Sequence, residues 1–219
     1  MRTVPHDLLT ALRAMLVFTV LCGILVPLVV FGVGQAAFSA NANGQLVHYR
    51  GHLVGSNLIG QNFADPVLRH GRPVLAAGVP ETTPDPRFFQ TRPSGTTPAD
   101  NDAATTFANY GPNSTITLQA IRANIAAYIA LNGRYVPGGL TAAKVPVDAA
   151  DTSASGVDPD ISPANAALQA YRVAAVDHLP LARVRALIAA NTGARGLGIL
   201  GEPTVNVLEL NLAIDRMIK

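Results

Sequence analysis

Between Ala14 and Gly34 the chain reads AMLVFTVLCGILVPLVVFGVG, without a single charge. At 1.5 Å rise per residue, a helix of roughly 20 such residues crosses a hydrocarbon core of about 30 Å. This run therefore sets the organisation of everything around it: a short tail at residues 1–13, a transmembrane helix at 14–34 and one soluble domain at 41–219. A secretory signal is the competing reading, with Arg2 and Arg13 as its basic start and Ala40-Asn41-Ala42 as its cleavage site. Signal cores are roughly 7–15 residues long, and this run continues to Gly34 before a charged or amide side chain appears, so length favours an anchor. Pro27 lies mid-span, where a neighbouring helix or a local adjustment must satisfy the carbonyl it frees. Gly23, Gly32 and Gly34 offer close-approach surfaces to a partner helix. Arg2 and Arg13 flank the N-terminal end and no Lys or Arg follows until Arg50. The positive-inside rule then puts the N-terminus in the cytoplasm and the domain outside, in a single-pass arrangement.

The 219 residues leave enough chain after the helix for one domain with a real core. A net charge of only +2, with no basic stripe, argues against a nucleic-acid footprint. Cys22 is the sole cysteine and lies in the apolar run, so an internal disulfide and a cysteine zinc site are both excluded.

Within the domain, Gln45–Phe63 alternates through Val47, Tyr49 and Leu53 about Gly51-His52, the pattern of a hairpin. Residues 64–109 are rich in Pro, Thr, Gly and Asp without a sustained period, and read as a long surface loop anchored by Phe88-Phe89. Leu118, Ile121, Ile125, Tyr128 and Ile129 share one helical face, with Ser114 or Thr115 as cap and Asn132-Gly133 as stop. Val145-Pro146-Val147 reads as extended, and Asp151–Ile161 as a turn-rich loop. Ser162-Pro163 starts a helix as cap and first residue. Its apolar stripe is Ala164, Ala167, Leu168, Tyr171 and Ala175, while Asn165, Gln169 and Arg172 fall on another face. Pro180 opens a further helix with Leu181, Val184, Leu187 and Ile188 inward. At the C-terminus, Asn206 with Glu209 resembles a capping box ahead of Val207, Leu210, Ile214 and Met217; a strand over Val205–Leu212 is the alternative. Helices grouped after a small strand set give an α+β domain.

No motif here carries catalysis. Gly196–Gly201 matches G-x-G-x-x-G, but no strand leads in and Glu202-Pro203 follows, so a turn is expected. Asp151–Gly156 resembles the opening of a calcium loop, yet Ser162 stands where a bidentate Glu is required, and no helix is expected before it. His48 and His52 lack a third ligand. Neither a Gly-x-Ser-x-Gly elbow nor a Gly-Lys-Ser/Thr phosphate loop is present. Asp148, Asp151, Asp158 and Asp160 could in principle supply a carboxylate pair, but a solvated acidic loop is the commoner outcome. The residues alone describe an anchored, outward-facing α+β domain that favours a binding or accessory role. A stand-alone membrane-anchored envelope binding protein or enzyme remains the alternative.

Several longer motifs add a resemblance. In order they are Gly55-Ser56-Asn57-Leu58-Ile59-Gly60-Gln61-Asn62-Phe63, then Phe88-Phe89 with Arg92-Pro93-Ser94, then Val145-Pro146-Val147-Asp148. Ser153-Ala154-Ser155-Gly156-Val157-Asp158 and Ile161-Ser162-Pro163 follow, with Ala166, Gln169 and Arg172-Val173-Ala174. Gly201-Glu202-Pro203, Val205-Asn206-Val207 and Leu210-Asn211-Leu212 close the series. Together they resemble the small C subunit of the Kdp-type potassium-transporting P-type ATPase, from the membrane helix to the C-terminus. The resemblance implies a non-catalytic accessory subunit in the plasma (inner) membrane, working in ATP-driven, high-affinity potassium uptake. Its partners would be a channel-like potassium-translocating subunit, a P-type ATPase subunit and a small F-type subunit. It would stabilise that assembly and, as a catalytic chaperone, raise the ATP affinity of the ATP-hydrolysing subunit. No cofactor is expected on this chain, since ATP acts on the partner subunit, and the Asp-Lys-Thr-Gly-Thr motif of P-type pumps is absent. The residues singled out as interface or fold determinants are Ser56, Asn57, Gln61, Arg92, Ser155, Asp158, Gln169, Arg172, Asn206 and Asn211. Two departures from the family pattern stand out: a Pro-rich insertion at Ala64–Pro86, and Phe107–Ser114 in place of a Ser-Gly-Gly-Ser-Asn stretch.

Overall fold

A computed structural model describes residues 4–76, 79–101, 103–105, 109–111 and 113–218. Phe107 and part of the stretch around it lie outside the described residues. The chain divides into two compact units, Met1–Leu46 and Val47–Lys219.

The first unit is one long helix, Val4–Ala37, about 50 Å by its rise. It extends beyond the apolar run at both ends. Its α-helical parts are α1 (Val4–Val20) and α2 (Val26–Ala37), joined through a π-turn at Leu21–Leu25. There the Val26 N–H donates to Leu21 O, five residues back. Pro27 causes this: it has no N–H, and its ring crowds the carbonyl four residues earlier. Widening one turn accommodates it without breaking the helix. The apolar side chains are exposed along the helix, as a membrane-spanning segment requires. A short helical turn, α3 (Ser39–Ala42), follows.

The second unit is α+β. Its opening hairpin pairs β1 (Leu46–Tyr49) with β2 (His52–Ser56). The two turn residues, Arg50 and Gly51, have φ of 51° and 82°, the primed-turn geometry that matches strand twist. Tyr49 Oη donates to Asp215 Oδ2 at 2.8 Å, tying the hairpin to the C-terminal helix.

The segment expected to be a surface loop is in part a three-way junction of hairpins. A stem pairs β3 (Ala64–Pro66) with β8 (Thr82–Pro84). One arm pairs β4 (Leu68–Arg69) with β5 (Arg72–Pro73), and a second pairs β6 (Leu75–Ala76) with β7 (Val79–Pro80). Three backbone bonds of 2.8 Å close the hub: Val67 N–H to Glu81 O, Val74 N–H to Val67 O, and Glu81 N–H to Val74 O. The hub residues are seven apart, as are the Pro-Val-Leu triplets at Pro66 and Pro73, so each repeat supplies one corner. A loop that pairs its own backbone groups need not leave them to water.

Helix α4 (Thr115–Asn132) is capped by Ser114, whose Oγ accepts from the Thr117 N–H. Val145 and Pro146 are extended, but Val147 already begins a helical turn, α5 (Val147–Ala150). A helical turn thus does precede the Asp151 loop, contrary to expectation. The core forms around a small sheet of order β10–β11–β9, from β9 (Asp160–Ile161), β10 (Thr192–Gly193) and β11 (Thr204–Asn206). Helices α6 (Pro163–Val176), α7 (Leu181–Ala190) and α8 (Val207–Ile218) pack with it. Phe89, Ile161, Ile188, Leu210 and Ile214 are the largest apolar side chains there, with Val173, Val184, Val205 and Val207 between them. The C-terminal segment resolves both earlier readings: a three-residue strand, then the helix, with Asn206 Oδ1 accepting the Glu209 N–H.

Helix α6 reverses the expected polarity. Ala164, Ala167 and Ala175 are exposed, while Asn165, Gln169 and Arg172 are fully buried beside Ala166, Ala170 and Val173. Burying such groups is tolerable only when their hydrogen bonds are made inside.

Candidate functional site

The buried polar face of α6 is the centre of a clamp on an otherwise irregular strip, Asp85–Arg92. Phe89 is fully buried, and strips of this kind must find partners for their backbone groups. Two side-chain amides supply them. Asn211 of α8 accepts the Phe89 N–H at 2.8 Å and donates to Phe89 O at 2.9 Å. Gln169 of α6 accepts the Gln90 N–H at 2.8 Å and donates to Gln90 O at 3.0 Å. Each amide thus presents one donor and one acceptor, as a neighbouring strand would.

Arg172 closes the clamp. Its Nε donates to Asn132 Oδ1 at 2.9 Å, Nη2 to Gln169 Oε1 at 2.9 Å, and Nη1 to Phe88 O at 2.9 Å and to Pro86 O. Burial pulls the guanidinium down to about 10, which leaves it charged at neutral pH. The network runs on through Asn165. That residue accepts from Gln169 Nε2 at 3.0 Å and from Tyr128 Oη at 2.8 Å. It donates to Asp148 Oδ2 at 3.0 Å. Burial raises the Tyr128 phenol, which keeps it a neutral donor. Asp148 also accepts the N–H and hydroxyl of Ser162, both at 2.8 Å. It therefore joins the helix cap to the network rather than serving as half of a free carboxylate pair.

The remaining motif residues form a second cluster at the start of the domain. Asn57 Nδ2 donates to Glu209 Oε1 at 3.0 Å, and Asn57 O accepts from Asn206 Nδ2 at 3.0 Å. Ser56 Oγ accepts the Leu58 N–H at 3.1 Å, and Gln61 Nε2 donates to Val54 O at 2.6 Å. Gly60 donates its N–H to Val157 O at 2.8 Å, and a Cβ there would lie 2.7 Å from Asp158 O. Only glycine permits that approach. Arg92 Nη1 pairs with Asp158 Oδ2 at 3.1 Å, and Nη2 donates to Thr152 O at 3.3 Å. Ser155 Oγ accepts the Val157 N–H at 3.2 Å, and Asp158 Oδ1 accepts the Asp160 N–H at 3.0 Å. In the calcium-like loop the hydroxyls of Ser153 and Ser155 are thus spent on its own backbone, and Thr152 O on Arg92. Nearby, Asp100 accepts from Thr91 Oγ at 3.0 Å, and burial pushes its carboxyl up to about 6.

Gly196–Gly201 is a tight turn closed by a Gly196–Leu200 bridge, and Leu197 is 90 % exposed. His48 and His52 are exposed on either side of the first hairpin turn. A cavity of about 510 Å³ lies between the start of α4 and the Asp151–Ala154 loop, with Tyr110, Ile116 and Asn124 in its wall. Among its described lining residues only Asp151 is charged, and Asn124 is committed to Ala150 O at 3.0 Å.

The arrangement joins residues far apart in sequence, from Pro86, Phe89 and Gln90 through Asn132 and Arg172 to Asn211. Residues 8–216 match the family model described as KdpC: K+-transporting ATPase, c chain. The chain belongs to the KdpC family. It is 44% identical over 207 residues to the potassium-transporting ATPase KdpC subunit of Ralstonia nicotianae, covering 93% of this chain and 89% of that one. It is 42% identical over 212 residues to that of Mycobacterium tuberculosis, covering 97% and 99%. Against that of Streptomyces coelicolor it is 43% identical over 214 residues, covering 94% and 91%. KdpC membership fits a chain that has, among the described residues, one helix long and apolar enough to span a membrane. Sequence reasoning placed Gln169, Arg172 and Asn211 on the right elements but missed Asn132, Asn165, Gln90 and Asp148 as their partners. The one available signal was the polar spacing of Asn165, Gln169 and Arg172 along a single helical face.

Proposed function

We propose that this chain is a non-catalytic accessory subunit of an ATP-driven potassium uptake complex. The family match over residues 8–216 carries this reading. Its partners are a channel-like potassium-translocating subunit, a P-type ATPase subunit and a small F-type subunit. The N-terminus is cytoplasmic and the domain extracytoplasmic, on the argument of Arg2 and Arg13 against an absence of Lys and Arg before Arg50. The ten motif residues serve the fold: their hydrogen bonds go to backbone, to one another and to further side chains of the same domain such as Asn132, Asn165 and Glu209, which supports a rigid scaffold rather than a reactive centre. An extracytoplasmic domain does not meet cytoplasmic ATP. Any rise in the ATP affinity of the partner is then a coupling free energy transmitted through the membrane. Titration of MgATP into the full-length chain in detergent tests this directly. No saturable heat is expected; stoichiometric binding would sink the scaffold reading and favour a nucleotide site on this chain.

A further inference from the structure

The β4–β5 arm of the three-way junction carries charge that has no salt-bridge partner among the described residues. Arg69 and Arg72 are register partners, directly opposite across the two-residue turn His70-Gly71. Like charges so placed weaken a hairpin. Both are exposed, and neither has an acidic partner among the described residues. The turn is of the primed type, with φ of 52° at His70 and 75° at Gly71, so the arginines are held on a tight, correctly twisted hairpin. They border a recess of about 540 Å³ whose described lining is Arg69, His70, Arg72, Pro73 and Val74. Its side-chain polar groups are cationic or imidazole nitrogen, and no carboxylate lines it. The nearest acids in sequence, Asp65 and Glu81, belong to the stem and the hub.

Two large apolar side chains accompany the charge: Leu68 on this arm is 57 % exposed and Leu75 on the next is 59 % exposed. Basic groups beside exposed aliphatic ones form the surface that settles at a lipid headgroup boundary. The chain also carries a helix long and apolar enough to span a membrane, which would tether this domain to a bilayer.

We propose that the β4–β5 arm binds the phosphate headgroups of anionic phospholipids, with Arg69 and Arg72 as the phosphate contacts and Leu68 and Leu75 at the acyl boundary. Guanidinium groups suit this role, because they pair with phosphate oxygens through two parallel N–H donors. Each arginine near an anionic surface strengthens association about five-fold, so the pair accounts for about 25-fold.

The test uses the full-length chain carrying Cys22→Ser and Leu68→Cys, labelled at residue 68 with an environment-sensitive fluorophore. It is reconstituted into phosphatidylcholine vesicles with or without phosphatidylglycerol. A blue-shifted emission in the phosphatidylglycerol vesicles alone, reversed by added salt, is the expected result. Arg69→Ala with Arg72→Ala should abolish the shift, and Arg69→Lys with Arg72→Lys should retain most of it. Because the hub is built from backbone bonds, thermal unfolding of these variants should match the parent. Equal emission in neutral and anionic vesicles overturns the proposal, as does a shift that survives the double alanine change. Reversal by inorganic phosphate, but not by chloride at equal ionic strength, would mean that the recess takes the free anion. A shift that requires partner subunits would mean a protein contact. Either result overturns a lipid assignment.

Discussion

Replacing Arg172 with Met removes every hydrogen bond of the clamp's central side chain while leaving a chain of similar length in its place. Four acceptors lose a donor: Asn132 Oδ1, Gln169 Oε1, Phe88 O and Pro86 O. Two of them keep another partner, since Gln90 N–H still reaches Gln169 Oε1 and Gln90 Nε2 still reaches Phe88 O at 3.2 Å. Asn132 Oδ1 and Pro86 O are left without one among the described residues. An unsatisfied buried acceptor costs roughly 1–3 kcal/mol, and relief of the guanidinium's own burial offsets part of the sum, for a net loss of about 3 kcal/mol. For a domain of this size each kcal/mol moves the midpoint by about 2–4 °C. Arg172→Met should therefore lower the Tm of the full-length chain in detergent by about 6–12 °C, followed by circular dichroism. Arg172→Lys should fall between the two, because an ammonium cannot span the planar fork of acceptors. A Tm for Arg172→Met within about 2 °C of the parent would refute the claim that this network holds the fold.

Three further changes probe neighbouring parts of the account. Asn211→Asp keeps the acceptor for the Phe89 N–H but turns a carboxylate oxygen toward Phe89 O, and should destabilise by about 2 kcal/mol or more in urea unfolding. Gly60→Ala drives a methyl to 2.7 Å from the Asp158 carbonyl and should cost about 1–3 kcal/mol by the same assay. Asp100 has a folded value near 6 against 3.8 for the free side chain. The folded state thus holds the extra proton, and stability falls as pH rises from about 4 to 6 and stays lower above that. Asp100→Asn should raise Tm near pH 8 and leave it unchanged near pH 4; an equal gain at both pH values would contradict the burial argument.

Local chemistry made several elements readable in advance. Ser162-Pro163 starts α6, Ser114 caps α4, and Asn206 caps α8, because each acts on backbone within three residues of itself. The inward faces expected of α7 and α8 are the ones that pack in the core, and what failed was the inward face of α6. The polar face of α6 is buried because its partners lie on Pro86, Phe88 and Gln90, about eighty residues away, and no local period reports them. Small alanines on the outer face then mimic a core stripe. The Ala64–Pro86 segment looked structureless because each of its strands is only two or three residues long, too short for alternation to register. Its seven-residue recurrence of Pro-Val-Leu was the signal that could have revealed the hub. The π-turn before Pro27 is the local adjustment that a proline in a spanning helix requires.

The central claim is that this rigid domain and its helix serve as an accessory subunit in a potassium-transporting assembly. Affinity purification of the full-length tagged chain from detergent-solubilised membranes, with the associated chains identified by mass spectrometry, tests it most directly. The account predicts that a channel-like subunit and a P-type ATPase subunit co-purify in fixed proportion with potassium-stimulated ATP hydrolysis. Recovery of the folded chain alone, with no associated ATPase, would contradict it.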